Sequence, residues 1–285
     1  MAAEHHLGPV AALAEGSEED DGPVDGGRAV RWVARRRARP WAVEEQGGGY
    51  DSLPAEDGVA EVPSLHDAMV AMLAAPLSSL IELQAQVRFG AVTDQWDLPT
   101  SDRLTLRRFG LPVGPLLRAA PQAETSPALT PNVAGDLERR LISADHRLYL
   151  LGVYGAAFDT NLSIRVGAVA GTGRVLGIRG RPLTTDDIPE QLRPYHPNLY
   201  HPAVCYFNSS VAAFVEIAWR WRAAVELLRA YPEPHYTAPL HEHEHHHAEV
   251  DRFRATFLEN MTRIDPTLGD RDLDSPWVET ITEDL

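Results

Sequence analysis

Tyr206-Phe-Asn-Ser-Ser-Val-Ala-Ala-Phe214 is the stretch in which the chain changes its period. Just upstream, Ala203-Val-Cys-Tyr-Phe207 is a short, continuous apolar run with the aromatic and β-branched content of a buried strand. Downstream, Val211 to about Tyr231 has the helix-forming composition and the three-to-four spacing of a helix that packs on a core. Asn208 and Ser209 stand between the two. Their side-chain oxygens suit a helix start, where the first N–H groups have no partner inside the helix. The reading is strand, cap, helix, with Asn208, Ser209, Ser210 and Phe214 as structural residues. A second junction, Leu106-Arg-Arg-Phe-Gly-Leu-Pro112, lies well upstream, with Gly110, Leu111 and Pro112 as its structural positions.

The other elements follow outward from these junctions. Ser64 can cap a helix that begins at Leu65, with Met69, Met72 and Leu73 on its apolar side. Pro76 breaks the pattern, and a second helical run is expected over 77–87. Residues 89–112 read as short apolar pieces and turns, and 119–136, rich in Pro, Ala and Thr, as a loop. Strands are expected at Arg147 to Tyr154 and Leu162 to Val169. Gly171-Thr-Gly173 then turns the chain back into Arg174 to Ile178 as an antiparallel hairpin. Residues 180–202 read as a long loop, Val250 to Ile264 as an amphipathic helix and Pro276 to Asp284 as a terminal helix. The expected class is α+β, an antiparallel or mixed sheet packed against helices, with the strands near 150, 165, 175 and 205 in one sheet. The expected organisation is a loosely ordered tail over 1–60, a domain over 61–235, a His-rich loop over 236–247, and C-terminal helices over 248–285 packing on the domain.

Charge narrows the partners. The 285 residues carry 26 basic and 41 acidic side chains, a net charge of −15, and every basic residue is Arg. Such a chain is a poor binder of nucleic-acid phosphates, which need clustered cations, and suits a basic protein surface. Segment 241–285 alone holds 12 acidic and 4 basic residues. The tail holds an acidic run, Glu15 to Asp25, and an Arg-rich run around Trp32, and buries too little apolar surface to fold by itself. The single cysteine, Cys205, excludes an internal disulfide and, within a strand, reads as a packed thiol rather than a nucleophile. There is no basic region followed by an apolar core at the N-terminus, and no apolar run reaches the ~18 residues of a membrane span. A cytoplasmic protein with no membrane partner is expected.

Three motifs bear on enzymatic readings. Gly171-Thr-Gly-Arg-Val-Leu-Gly177 has dinucleotide-type glycine spacing, but no helix follows to hold a pyrophosphate, so a plain turn with Gly173 at its bend is the better reading. His241-Glu-His-Glu-His-His-His247 contains two overlapping His-Glu-x-x-His matches, at His241/His245 and His243/His247. That spacing can hold zinc on a helix while Glu activates water, so a zinc-dependent hydrolase is one alternative function. A run made only of His and Glu produces the pattern by composition, and a solvated loop without cofactor is the simpler reading. His247-Ala-Glu249 matches half of a nucleobase-deaminase signature, but the two cysteines of the other half do not follow.

Four pieces, taken in order, resemble the SUKH superfamily and most closely its fourth subfamily. They are Leu106 to Pro112, the strand Leu148 to Tyr154, the turn Thr172-Gly-Arg-Val175, and Phe207-Asn-Ser-Ser-Val-Ala-Ala-Phe214. Arg263-Ile-Asp-Pro266 and Ser275-Pro-Trp-Val278 are similar to the tail of members of the actinobacterial type. The resemblance implies an α+β fold and a bacterial immunity protein that binds and neutralises a cognate toxin, with no catalytic residues to carry over. Candidate partner-binding residues are then Asp186, Asp187 and Glu190, with Tyr195 and Tyr200 as aromatic anchors. A regulatory scaffold of the same fold is the other alternative.

Overall fold

A computed structural model describes residues 64–114, 117–120, 124–155, 163–270, 273 and 275–283 of the chain. The expected tail over 1–60 lies outside the described residues. Helix α1 spans Leu65–Ala74, and the Ser64 hydroxyl oxygen accepts from the Asp67 N–H at 3.1 Å, as its sequence position suggests. The helix expected over 77–87 does not form. Pro76 is followed by two single 3₁₀ turns, Leu77–Ser79 and Leu83–Ala85, and then by the two-residue strand β1, Gln86–Val87.

The stretch read as short pieces and turns holds a regular helix, α2, Thr100–Phe109. Only Leu106 and Asp102 of α2 are buried, so it lacks the apolar stripe that would reveal a helix in sequence. Gly110 ends it with φ +56° and leads into β2, Leu111–Pro112, which pairs with β1. Two further elements, the strand β3 (Leu117–Ala119) and the helix α3 (Asp136–Leu141), flank the expected loop.

The strands seen in sequence lie together in one sheet. β4 (Leu148–Tyr154), β5 (Ile164–Val169), β6 (Val175–Ile178) and, after the pair β7 (Leu183–Thr184) and β8 (Tyr200–His201), β9 (Val204–Asn208) join β3 in the order β3-β4-β5-β6-β9. Every pairing is antiparallel. β7 and β8 pair only with each other and close the 180–202 segment at its base.

Val175, Leu176, Gly177 and Ile178 of β6 are all buried, so both faces of the sheet are covered. On one side, Phe207, Tyr154, Phe214 and Trp277 form a cluster of rings 5.1 to 5.9 Å apart. On the other, Leu129 crosses Gly167 so closely that a Cβ there would stand 2.9 Å from its side chain.

Helix α4, Val211–Ala230, is the hub of the helical layer. It packs against α1, α2 and β2, and against α5, Leu240–Ile264. α6, Pro276–Glu283, brings Trp277 to the ring cluster. The class is therefore α+β, an antiparallel sheet with helices against it.

Two glycines separate conformational strain from crowding. Gly110 and Gly90 both have positive φ, +56° and +64°, but a Cβ at Gly110 would meet the Val87 carbonyl oxygen at 2.3 Å, whereas one at Gly90 would meet nothing within 4 Å. Gly90→Ala should cost about 1 kcal/mol of stability, from φ alone. Gly110→Ala should cost ~3 kcal/mol, because the backbone must also shift. Urea denaturation of the two variants would show the difference in midpoint, and equal losses would mean that the Val87 contact does not matter.

Candidate functional site

The corner between β9 and α4 is held by two carboxylates from distant parts of the chain. Ser210, rather than Asn208 or Ser209, is the residue that caps α4, with its hydroxyl oxygen accepting from Ala213 N–H at 3.1 Å. The Ala212 N–H goes instead to Asp102 of α2, at 3.1 Å, so a second helix supplies part of the cap. Asp102 is almost fully buried. Burial pushes its pKa up, and the bonds from the Ala212 and Val211 N–H groups pull it back only in part.

Asn208 and Ser209 serve the other carboxylate. Asp265, fully buried after the end of α5, accepts from Asn208 Nδ2 at 2.9 Å and from Ser209 N at 2.7 Å. It also accepts from the Thr267 hydroxyl at 2.5 Å. Burial works to raise its pKa, but the bonds from Thr267, Ser209 and Asn208 outweigh it, so the group sits below the usual carboxylate range. Asn208 Oδ1 in turn accepts from Trp277 Nε1 at 3.1 Å. Asn208 thus ties the last strand to α5 and α6 at once, and Phe214 packs beneath it in the ring cluster.

The other motif residues meet the same corner. A Cβ on Gly173, whose φ is +73°, would overlap Asp102 Oδ2, so the hairpin turn needs glycine where α2 passes. The Phe109 and Gly110 carbonyls accept from Trp219 Nε1 of α4 at 3.2 and 3.3 Å, and Leu111 is fully buried. Gly110, Leu111, Pro112, Gly173, Asn208, Ser209, Ser210 and Phe214 are brought together around the start and middle of α4. The arrangement is a structural joint with no open cleft.

The 183–200 segment presents the exposed side chains. Its base is fastened by Asp187, which pairs with Arg181 and accepts from the Thr184 N–H at 2.7 Å. The Arg181 guanidinium and then the Thr184 N–H hold the Asp187 pKa down to about 2. Its far end is fastened by a residue the sequence did not single out, Glu138 of α3. Glu138 is fully buried, and Oε1 accepts from Ala203 N at 2.8 Å and from the Tyr200 hydroxyl at 3.3 Å. Between these ends Tyr195 is 79% exposed and Leu192 48%, with Asp186 and Glu190 also exposed. Asp187 therefore faces inward as a fastener, Tyr200 is half engaged with Glu138, and Asp186, Glu190 and Tyr195 are displayed.

The His-rich run is helical. α5 begins at Leu240, so His241 to His247 make its first turns and not a loop. His246 stacks on Tyr231 of the neighbouring chain end with ring centroids 5.0 Å apart, and this contact anchors turns that have no aliphatic side chain. Among the described residues, no three His, Cys, Asp or Glu side chains converge to hold a metal ion. A catalytic zinc keeps three protein ligands, and the described residues do not bring three together at the His run. Cys205 is buried, as its place in the strand predicts.

A family model described as SUKH-4 immunity protein matches residues 73–283. The chain belongs to the SUKH-4 family. The match takes in both junctions, the hairpin turn, and the Asp265 and Trp277 positions that grip Asn208. No curated relative and no solved structure matches the chain. Membership in SUKH-4 carries a toxin-immunity role, and the family's Phe-Asn-Ser-Ser element is, in this chain, a lock on the fold. Among the described residues, no helix is long and apolar enough to cross a membrane.

Two substitutions test the two kinds of fastener. Asp265→Ala strands the buried Asn208 amide and the Ser209 N–H and should cost about 3 kcal/mol or more in urea denaturation, given ~1–3 kcal/mol for each buried unsatisfied donor. Asp187 has a depressed folded pKa, so its contribution is complete above the unfolded value of 3.8 and fades as pH falls toward about 2. Hydrogen exchange of the 183–200 amides should therefore speed up between pH 4 and 2 relative to the sheet. In Asp187→Asn that extra pH dependence should vanish.

Proposed function

We propose that this SUKH-4 protein neutralises a cognate bacterial toxin of the nuclease or deaminase class by covering its active cleft, without catalysis of its own, in the cytoplasm. The observation that carries the reading is the 183–200 segment. One end is fastened to the body through Glu138 and Ala203, Asp187 closes the other end on Arg181 and Thr184, and the middle displays Tyr195 and Leu192 beside Asp186 and Glu190. A large ring presented on a fastened loop loses little entropy on binding and can serve as a central anchor. The acidic neighbours supply what a cleft built for nucleic acid attracts.

In the acid-rich C-terminal segment, four of the acidic side chains are committed within the fold. Glu249, Asp251 and Glu259 pair with Arg252, Arg254 and Arg263 on their own helix, and Asp265 is buried. Asp186 and Glu190, with Tyr195 and Tyr200, are therefore the leading contacts, and the exposed Glu242 and Glu244 are the secondary ones. Asp187 belongs to the surface only as the residue that sets its shape.

The test is co-expression with the toxin encoded beside this gene, followed by purification of the complex. Tyr195→Ala should weaken toxin binding about tenfold or more, as expected of an interface anchor. Asp186→Asn with Glu190→Gln should lower the association rate and flatten its dependence on salt. Protection of cells by a chain that does not bind the toxin would remove the proposal. Undiminished binding by Tyr195→Ala would move the interface elsewhere.

A further inference from the structure

The exposed histidines at the start of α5 have no part in the fold's joints or among the leading contacts proposed for the toxin, yet they have a defined arrangement. His241 and His245 lie four residues apart on one regular helix, hence about 6 Å apart along the axis and ~40° apart around it. Both are exposed, whereas His246 is committed to Tyr231 and His243 is half-buried. Ala248, the next residue on that face, is small and exposed and leaves the approach open. Exposed imidazoles turn freely about χ1 and χ2, so two at this spacing can direct ring nitrogens at one point.

We propose that His241 and His245 form a two-ligand site for a divalent transition-metal ion such as Zn²⁺ on the solvent face of α5. Imidazole donors select zinc, nickel and copper over magnesium and calcium, which take oxygen ligands. Glu242 and Glu244 flank the pair, and the chain carries a net charge of −15, so the local potential favours a cation. Two protein ligands leave at least two positions of a tetrahedral ion open to water or to donors of another molecule. The site therefore attaches an ion to the surface and is distinct in kind from a three-ligand catalytic centre. The ion bridges adjacent helical turns and binds the helical state only, so it also stabilises the start of α5.

The test uses the full chain without any added tag, stripped with a chelator and titrated calorimetrically with Zn²⁺ and, separately, with Mg²⁺. The expected result is saturable Zn²⁺ binding and no comparable Mg²⁺ binding. His241→Ala and His245→Ala should each lower Zn²⁺ affinity at least tenfold, since losing a direct ligand costs no less than the ~10-fold of an outer-shell partner. His235→Ala, outside the pair, should leave affinity unchanged. Zn²⁺ should also raise the thermal midpoint of the parent and not that of His241→Ala/His245→Ala, whose side chains are exposed and whose fold circular dichroism can verify. The proposal fails if the double variant binds Zn²⁺ as tightly as the parent, if loss of His243 and His247 abolishes binding instead, if Mg²⁺ binds equally well, or if the parent binds no Zn²⁺.

Discussion

The grip of Asp102 and Asp265 on the corner between β9 and α4 is the constraint around which the rest is arranged. A strand that runs straight into a helix leaves the first helical N–H groups without partners, and here Asn208, Val211, Asp102 and Asp265 are buried around the corner, so protein groups serve them. Ser210 satisfies one and Asp102 another, while Asp265 takes the Asn208 and Ser209 donors. Each carboxylate comes from a different helix. Satisfying the corner therefore fixes where α2 and the end of α5 must lie. Asn208 extends the same logic to α6 through Trp277. Burying two carboxylates carries a desolvation cost, visible in the raised pKa of Asp102. Asp265, with several donors, is ionised more readily than a free carboxylate despite full burial.

What could be read from the sequence follows from how local the determinants are. The hairpin at Gly171–Gly173, the strands near 150, 165, 175 and 205, and α4 are set by period and turn chemistry within short windows, and they stand where that chemistry puts them. The cap was misplaced by one to two positions, because three consecutive polar residues all suit a cap. What decides among them is whether Asp265, far along the chain, is there to receive Asn208 and Ser209. α2 went unseen because tertiary contact buries one leucine and one aspartate of it and no stripe. The His run was read as a loop because nothing in it is aliphatic. Its helix is held by His246 on Tyr231 and by continuity with Phe253, Phe257 and Met261 further on. Glu138 accepts from Gly135 N at 2.9 Å at the start of α3, a local bond, but its partner Ala203 N is meaningful only in three dimensions.

The same division separates the joint from the displayed segment. The matching motifs are buried at the joint, where a change of side chain would disturb several elements together. The 183–200 segment is different. It is closed on itself by Asp187 with Arg181 and Thr184 and tied to α3 through Glu138, and residues such as Leu192 and Tyr195 contribute little to either fastening. Such a segment can change its displayed residues while its frame persists, which suits a protein whose partner changes from one system to the next.

Charge distribution sharpens the same point. A count along the chain puts 12 acidic and 4 basic side chains in residues 241–285, and Arg252, Arg254 and Arg263 of that count sit beside particular carboxylates of α5. Glu249, Asp251 and Glu259 each have an arginine one turn away. Such pairs contribute little to stability, yet they remove field that a partner would otherwise feel. In the 183–200 segment Arg181 is drawn to Asp187, and Arg193 bonds the backbone carbonyls of Ile188 and Asp186. The Arg193 guanidinium also lies 3.9 Å from the exposed Asp186 carboxylate, and Glu190 is exposed. If the 183–200 segment is the interface we propose, what a basic cleft meets is a small set of carboxylates on a closed loop next to one exposed ring, and the net charge of the chain acts on the encounter from further away.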